Sequence, residues 1–141
     1  MLKTKKIWAF ILLIALCLSS FSLVSCSMED IENAKVHAKG CLSEVRKGNF
    51  EEAEKYLHPD YNENSLKEYF DYIETEYDID FQSGIALLGY SGVYSSYYTT
   101  EVDGSLYEIY HELEVSGVRI TAYIAIIEND NGYGIGDIVI E

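Results

Sequence analysis

Cysteine, proline and basic residues are scarce in this chain of 141 residues. Three residues are Cys, one is Pro, and ten are Lys or Arg against 24 that are Asp or Glu. Proteins that bind nucleic acid need clustered Lys and Arg to displace the counterions of the phosphates, so this composition excludes that class of partner. The sequence also has no phosphate-binding glycine loop and no Gly-x-Ser-x-Gly motif, and no cofactor is expected.

The first 25 residues have the pattern of an export signal. Lysines stand at positions 3, 5 and 6, and an apolar run follows from Ile7 to Leu18. Leu23-Val24-Ser25-Cys26 then places two aliphatic residues, a small residue and a Cys in succession. This tetrapeptide resembles the lipobox of bacterial lipoproteins. The resemblance implies that residues 1–25 are a signal peptide and that Cys26 becomes the lipidated first residue of the mature chain.

A lipid on Cys26 would determine where the protein resides. Lipoproteins of this kind carry a diacylglyceryl group on the Cys, and two or more acyl chains hold a protein stably on a membrane. We therefore expect an exported protein that incorporates palmitate and is anchored at the cell membrane or envelope. Two alternatives remain open, namely an uncleaved transmembrane anchor over residues 7–24 and an ordinary secretory signal in which Cys26 stands by chance.

The segment after the signal is predicted to be one acidic domain. Seven basic and 24 acidic residues follow residue 25, which gives the mature chain a net charge of −17. Anionic lipid head groups repel such a surface, so the lipid and not the domain is expected to carry membrane association. We assign residues 26–30 to the lipidated Cys and a short spacer, and residues 31–141 to the domain. Cys41 has no second Cys to pair with there and is expected to be a small buried hydrophobe.

Apolar residues at three- and four-residue spacing predict three helices in the first half of the domain. Gly48 suits the carboxyl-terminal cap of the first helix. Capping-box patterns that begin at Asn49 and Ser65 predict where the second and third helices start. His58-Pro59 ends the second helix, since the residue before a proline avoids the helical conformation. The apolar faces comprise Ile31, Ala34, Ala38, Cys41, Leu42 and Val45, then Phe50, Ala53, Tyr56 and Leu57, then Leu66, Tyr69, Phe70, Ile73 and Tyr77.

Strand-forming residues separated by turn signals fill the second half. Asp103-Gly104, Ser116-Gly117 and the 129–132 segment predict three hairpin turns. Gly89 and Gly92 predict a bulge or bend in the first strand. The predicted strands cover residues 85–101, 105–115, 118–127 and 133–140.

Alternation along the strands gives the predicted sheet one apolar and one polar face. In the second strand the odd-numbered residues from 107 to 115 are apolar apart from His111, and most even-numbered residues are Glu. One face is therefore expected to be core and the other wet, as in an antiparallel meander. Three helices packed on a curved four-stranded sheet would complete an α+β fold. Residues 78–81 are expected to pair at an edge of the sheet.

Two local motifs and the order of the elements resemble the nuclear-transport-factor-two-like superfamily. The motifs are the 45–53 segment, Val-Arg-Lys-Gly-Asn-Phe-Glu-Glu-Ala, and the 131–135 segment, Asn-Gly-Tyr-Gly-Ile. More narrowly, the chain is similar to the cone-shaped, cystatin-like domains of uncharacterised bacterial lipoproteins. The resemblance covers about residues 28–140 and implies a curved sheet that, with the helices, often encloses a pocket. Some members are isomerases or dehydratases, while many only bind or pair, and no catalytic Asp or His-Asp motif of those enzymes transfers to this chain.

His111 is the candidate for a pocket residue. It is the one ionisable group on an otherwise apolar strand face, and histidine acts as acid or base near neutral pH. Tyr107 on the same face and Asp137 in the last strand would join it in a catalytic site. The competing interpretations are a hydrogen-bonded core histidine, a packing tyrosine and a solvent-facing carboxylate. No metal site is expected, because the His and Cys residues lack metal-ligand spacing and the acidic run from 74 to 80 lacks the calcium-loop pattern.

Tyrosine is frequent, with 13 residues, and four of them crowd the first strand. Tyr90, Tyr94, Tyr97 and Tyr98 are a candidate binding surface, since Tyr is enriched where proteins bind partners. The alternative is simply the high strand propensity of Tyr.

These features predict a membrane-anchored lipoprotein whose non-enzymatic domain binds a protein or a small ligand at the cell envelope. The alternative is a small isomerase- or dehydratase-like enzyme that uses a pocket between sheet and helices. A homodimer formed through the exposed sheet face is a third interpretation.

Overall fold

The computed structural model describes residues 28–61, 65–98 and 103–141, and for residues 93–98 and 103 it describes the backbone alone. The predicted signal peptide and Cys26 lie outside these ranges. The described residues form an α+β fold in which helices precede a four-stranded antiparallel sheet, which confirms that part of the sequence prediction. None of the described helices is long and apolar enough to cross a bilayer.

The helices occupy the first half of the domain. α1 covers residues 28–46, α2 is a single turn at Phe50–Ala53 that continues as a 3₁₀ turn at Glu54–Tyr56, and α3 covers Leu66–Tyr77. α1 thus begins within the segment that we assigned to a spacer. The sequence did not indicate this first turn, because it is exposed and shows no apolar spacing. The second helix is shorter than predicted, since Leu57 is already extended.

Gly48 follows the end of α1 with a left-handed φ of 73°, as predicted for its carboxyl-terminal cap, but the predicted capping boxes do not form. Neither Asn49 nor Ser65 makes a side-chain hydrogen bond to its helix. The amide of Asn49 instead donates to the Glu44 carboxylate at 3.3 Å. Acidic residues in the first turns of both helices still favour a start at these places, because carboxylates interact well with the free N–H groups there.

The 78–81 segment does not pair with the sheet, so the edge-strand prediction is wrong. Asp78 is the left-handed cap of α3, with a φ of 53°. The Asp80 carboxylate accepts a bond from the backbone N–H of Gln82 at 2.8 Å and begins a 3₁₀ turn at Phe81–Ser83. Ile79 and Phe81 are buried, so the apolar residues of this segment enter the core from a turn and not from a strand.

The sheet is a meander in the order β1-β2-β3-β4. The strands are β1 at Ile85–Tyr98, β2 at Asp103–Val115, β3 at Val118–Asn129 and β4 at Gly132–Ile140. Ser116 and Gly117 both have positive φ, 53° and 80°, as a two-residue type I′ hairpin turn requires. The 129–132 segment is also a turn, because Asn129 pairs with Gly132 across it.

The predicted turn at Asp103-Gly104 is wrong, since both residues belong to β2 and lie opposite Tyr98 and Tyr97. Residues 99–102, which connect the two strands, lie outside the described residues, as do positions 99–101 of the predicted first strand. Gly104 is needed within β2 for two reasons, because its φ of 136° favours glycine and because a Cβ there would collide with the carbonyl oxygen of Glu128 on β3.

A register shift between Leu87 and Gly89 confirms the predicted bulge in β1. Gly92 makes no bulge and instead lets β1 approach α1, because a Cβ at Gly92 would lie 2.6 Å from Cγ2 of Ile31.

At the opposite edge of the sheet, the chain after α2 joins β4. Leu57 forms a parallel bridge with Ile135, and the N–H of His58 donates to the Ile135 carbonyl at 2.8 Å.

A single apolar cluster unites buried residues of α1 and α3 with buried residues of β2, β3 and β4. Cys41 is fully buried in it, and burial raises the pKa of its thiol to about 12. The inward residues of β2 include His111, which is fully buried as well. The fold therefore places one imidazole among the apolar side chains that the alternation of β2 directs inwards.

Candidate functional site

The His111 pocket is a cavity of about 180 Å³ between α1 and the first two strands. Lys39, Leu42, Ser43 and Arg46 line it from α1, Ile85 and Leu87 from β1, and His111 and Leu113 from β2. The four α1 residues recur at three- and four-residue steps and therefore share one face of the helix. Two of the lining residues from the strands, Leu87 and Leu113, lie opposite each other in the β1–β2 pair.

His111 is unusual because neither ring nitrogen has a hydrogen-bond partner among the described residues, although the residue is fully buried. Buried polar side chains nearly always have such a partner. Burial, and then the charges of Lys39 and Lys35, lower the pKa of His111 to about 4. The imidazole is therefore neutral at pH 7, with one N–H to donate and one nitrogen that accepts.

His58 shows what a fully satisfied buried histidine looks like in the same domain. Its Nδ1 accepts a bond from the backbone N–H of Asp60 at 3.0 Å. Its Nε2 therefore carries the hydrogen, which lies between Asn129 Oδ1 at 3.0 Å and the Gly132 carbonyl at 3.1 Å. The side chain joins the loop after α2 to the β3–β4 turn, whereas the sequence indicated only that His58-Pro59 ends the second helix. The contrast shows that the missing partners of His111 are a property of its site.

A second cavity, of about 510 Å³, lies where α1 meets the ends of β2–β4, and we call it the tyrosine cavity. Its lining residues are Asp30, Asn33, Val36, His37, Gly40, Tyr56, Tyr107, Glu128 and Tyr133. The ring of His37 stands edge-on to those of Tyr56 and Tyr133, with centroids 4.9 and 5.0 Å away. His37 Nε2 also bonds to the Tyr56 carbonyl at 2.9 Å. His37 is not a candidate on sequence grounds, because its role depends on contacts across 19 to 96 residues of chain.

Tyr107 belongs to the tyrosine cavity and not to the His111 pocket. Its hydroxyl donates to the Glu128 carboxylate at 3.2 Å, and burial together with the nearby Glu128 and Asp30 charges raises its pKa to about 12. Tyr107 and His111 share a strand face as predicted but border different cavities. Asp137 is exposed and borders a shallow groove on the outer face of the sheet with Glu108, Tyr110 and Tyr123. The structure therefore does not bring together the three residues that the catalytic interpretation needed.

The predicted tyrosine surface on β1 is described only in part. Tyr90 packs against α1, because its hydroxyl donates to the Glu32 carboxylate and Lys35 Nζ lies 3.4 Å from its ring centroid. The Tyr90 ring also lies beside His111, with centroids 6.3 Å apart. The backbones of Tyr94, Tyr97 and Tyr98 pair with β2, but their side chains lie outside the described atoms. Tyr90 is 39% exposed, so it belongs to the surface of the domain while its ring also lies beside His111.

Three lining residues of the His111 pocket, namely Lys39, Ser43 and Arg46, were not identified from the sequence. The spacing of charged residues along α1 nevertheless distinguishes Lys39 and Arg46. Lys39 and Arg46 have no acidic residue three or four positions away, whereas Lys35 and Lys47 each have a Glu three residues before them. A helical cation that lacks such a neighbour is free to serve a site on its helix face.

Among the described residues, no three His, Cys, Asp or Glu side chains come together in a way that would hold a metal ion. Comparisons of the chain with protein-family models, with curated proteins and with solved structures found no match.

Proposed function

We propose that this protein is a lipid-anchored binding protein of the bacterial cell envelope whose domain takes a small, partly apolar ligand in the His111 pocket without catalysing a reaction. The observation that carries the proposal is the fully buried imidazole of His111, which borders the pocket and has no hydrogen-bond partner among the described residues. A ligand with an apolar body and one polar group would satisfy both the apolar walls and the imidazole.

The energetics of His111 support a ligand. A buried polar group without a partner costs about 1–3 kcal/mol. A ligand that bonds to the imidazole recovers part of this free energy as affinity. A pocket with purely apolar walls would not provide this contribution to binding. The volume of about 180 Å³ is below the ~300–1,000 Å³ of pockets that enclose drug-sized molecules. We therefore expect a small ligand, or one end of a longer one.

The alternative of an isomerase- or dehydratase-like enzyme receives less support. General acid–base catalysis works best when the pKa of the catalytic group lies near the working pH, and the pKa of His111 is lowered to about 4. No carboxylate and no tyrosine lines the pocket with His111. Tyr107 lies in the tyrosine cavity and Asp137 on the outer sheet face, so neither would assist the imidazole.

The proposal includes the nuclear-transport-factor-two-like, cystatin-like architecture, with three helices on the concave face of a curved sheet. Three contacts between the helical half and the sheet support it. Ile31 of α1 contacts Gly92 of β1, the Tyr69 hydroxyl of α3 accepts a bond from the Ile140 N–H at 3.0 Å, and Leu57 bridges to Ile135. The His111 pocket lies between helix and sheet, where that superfamily often encloses a ligand.

The proposed anchor is a lipid on Cys26. α1 is already helical at residue 28, so a lipid on Cys26 would hold the domain close to the membrane. Cells grown with a palmitate analogue should incorporate it into the wild-type chain, while Cys26→Ala should lose both the label and the membrane association. A labelled, membrane-bound Cys26→Ala protein would contradict the anchor.

The ligand proposal can be tested through the three histidines of the chain. We expect that, in protein labelled with ¹⁵N only at histidine, a small partly apolar compound shifts the ring signals of His111 in a saturable way. His37 reports on the tyrosine cavity, and His58, which borders neither cavity, serves as the internal control. A screen in which no compound moves the His111 signals would contradict the binding function. A compound that the wild type converts and that His111→Leu does not convert would support the enzyme interpretation instead.

A further inference from the structure

The seven basic residues of the mature chain fall into two groups. Five of them form ion pairs with carboxylates: Lys35 with Glu32, Lys47 with Glu44, Lys55 with Glu52, Lys67 with Asp71, and Arg119 with Glu114. Lys39 and Arg46 have no carboxylate partner among the described residues. Both of these unpaired cations line the His111 pocket.

This placement is unexpected, because residues 26–141 carry a net charge of −17 and acidic side chains are available almost everywhere along them. No acidic residue lines the His111 pocket. The charged groups near the imidazole are Lys35, Lys39 and Arg46 from α1, while β1 contributes the Tyr90 ring and β3 places Ala122 opposite. The pocket is thus a local positive site on an acidic domain.

From these contacts we infer that the ligand of the His111 pocket is a small carboxylate with an apolar chain, an inference that rests on the proposed binding function. The carboxylate accepts the N–H of the neutral imidazole and the Ser43 hydroxyl, and it lies within the field of Lys39 and Arg46. The apolar chain contacts Leu42, Ile85, Leu87 and Leu113, which form the rest of the lining. The two halves of the pocket therefore match the two halves of one amphiphilic anion.

Hexanoate and hexan-1-ol are suitable probes, because they share the length of the apolar chain and differ in charge. Titrated into the histidine-labelled protein, hexanoate should shift the His111 signals and bind at least about tenfold more tightly than hexan-1-ol, the factor that corresponds to about 1.4 kcal/mol. Bound hexanoate should also move the titration of His111 to higher pH, since a nearby negative charge favours the protonated imidazole. Hexan-1-ol should leave that titration where it is.

Lys39→Gln and Arg46→Gln separate a binding role of the two cations from a merely structural one. Each should weaken hexanoate binding about three- to tenfold, within the range of a partly exposed charge-assisted contact, and leave hexan-1-ol binding unchanged. Lys55→Gln is the matched control, because Lys55 is exposed, paired with Glu52 and remote from the pocket.

Two results would overturn the inference while leaving the proposed function in place. These are equal binding of hexan-1-ol and hexanoate at His111, and unchanged hexanoate binding in both Lys39→Gln and Arg46→Gln. If neither probe nor any compound of the wider screen shifts His111, the binding function itself fails together with the inference.

Discussion

His111 combines two properties that oppose each other at the scale of a single residue. Its position on β2 directs it into the core, where it is fully buried, and its imidazole brings two polar nitrogens that find no partner among the described residues. A residue that costs stability in the free protein is a sign that selection acts on something other than stability. The binding proposal explains this cost, because a bound ligand would supply the hydrogen-bond partner that the imidazole lacks.

Replacement of His111 by Leu should stabilise the free domain and remove ligand binding. At pH 7 we expect the free energy of unfolding to rise by about 1–3 kcal/mol, because an unsatisfied polar group leaves the interior. The pKa of His111 is lowered from 6.5 to about 4 in the folded state, so between these values the unfolded chain binds a proton that the native protein does not. The free energy of unfolding of the wild type therefore does not depend on His111 protonation above pH 6.5, and it falls as the pH falls from 6.5 towards 4.

Urea unfolding at pH 7 and pH 5 measures both effects. The wild type should lose about 2 kcal/mol more than His111→Leu over this interval, given 1.36 kcal/mol for each pKa unit. His37 and His58 are present in both proteins and contribute equally. Parallel pH profiles for the two proteins would show that the imidazole is not held in its neutral form by burial.

The sequence indicates the face of His111 but not its lack of partners. Its face follows from the alternation of β2, which depends only on local spacing. Its partners depend on which side chains approach from α1 and β1, and those contacts arise only in the folded domain. The same limit applies to His58, whose bonds to Asn129 and Gly132 span more than 70 residues.

At the scale of elements, local chemistry predicted two hairpin turns correctly and misplaced a third. Ser116-Gly117 is a turn because its short side chains accept two positive φ values. Asp103-Gly104 has the same appearance in the sequence, but its glycine is needed where β2 passes close to the carbonyl of Glu128. Gly104 also has a positive φ, of 136°. A glycine in a turn and a glycine in a strand that passes close to its neighbour therefore look alike until the neighbouring strand is known.

Gly134 illustrates a glycine that joins two elements. A Cβ there would lie 2.6 Å from the His58 nitrogen and 2.7 Å from the Leu57 carbonyl oxygen, so Gly134→Ala should push the 57–58 segment away from β4. We expect a loss of about 1–3 kcal/mol, the usual range for overpacking, and a weaker NMR signature of the His58 bonds.

Gly89→Ala is the matched control for Gly134→Ala. A Cβ at Gly89 would meet only the Glu112 carboxylate, at 3.6 Å, which is an ordinary contact. Both substitutions reduce the freedom of the unfolded chain equally, so urea unfolding of the pair isolates the steric contact. Equal stabilities of the two variants would mean that β4 and the 57–58 segment separate without cost.

At the scale of the whole molecule, the net charge of −17 over residues 26–141 and the one positive pocket should respond to salt in opposite directions. Raising NaCl from about 20 mM to about 500 mM shortens the Debye length from ~20 Å to ~4 Å. The free energy of unfolding should rise, since repulsion among the carboxylates is screened. Hexanoate affinity should fall, since the field of Lys39 and Arg46 is screened as well.

Urea unfolding and histidine-detected titration at the two salt concentrations provide the comparison, with hexan-1-ol as the uncharged control. Its affinity should change little or increase slightly with salt. A hexanoate affinity that does not fall with salt would contradict an electrostatic contribution from the two cations.

The attachment of Leu57 and His58 to β4 has a consequence for self-assembly. It occupies the outer edge of the last strand at Ile135, whereas the described residues leave the outer edge of β1 without a neighbour. Two copies that joined edge to edge through β1 would form an eight-stranded sheet with an obstructed margin at either end. A third copy would have to displace the 57–58 segment in order to pair with the whole of β4, so the attachment disfavours fibrous growth of such a pair.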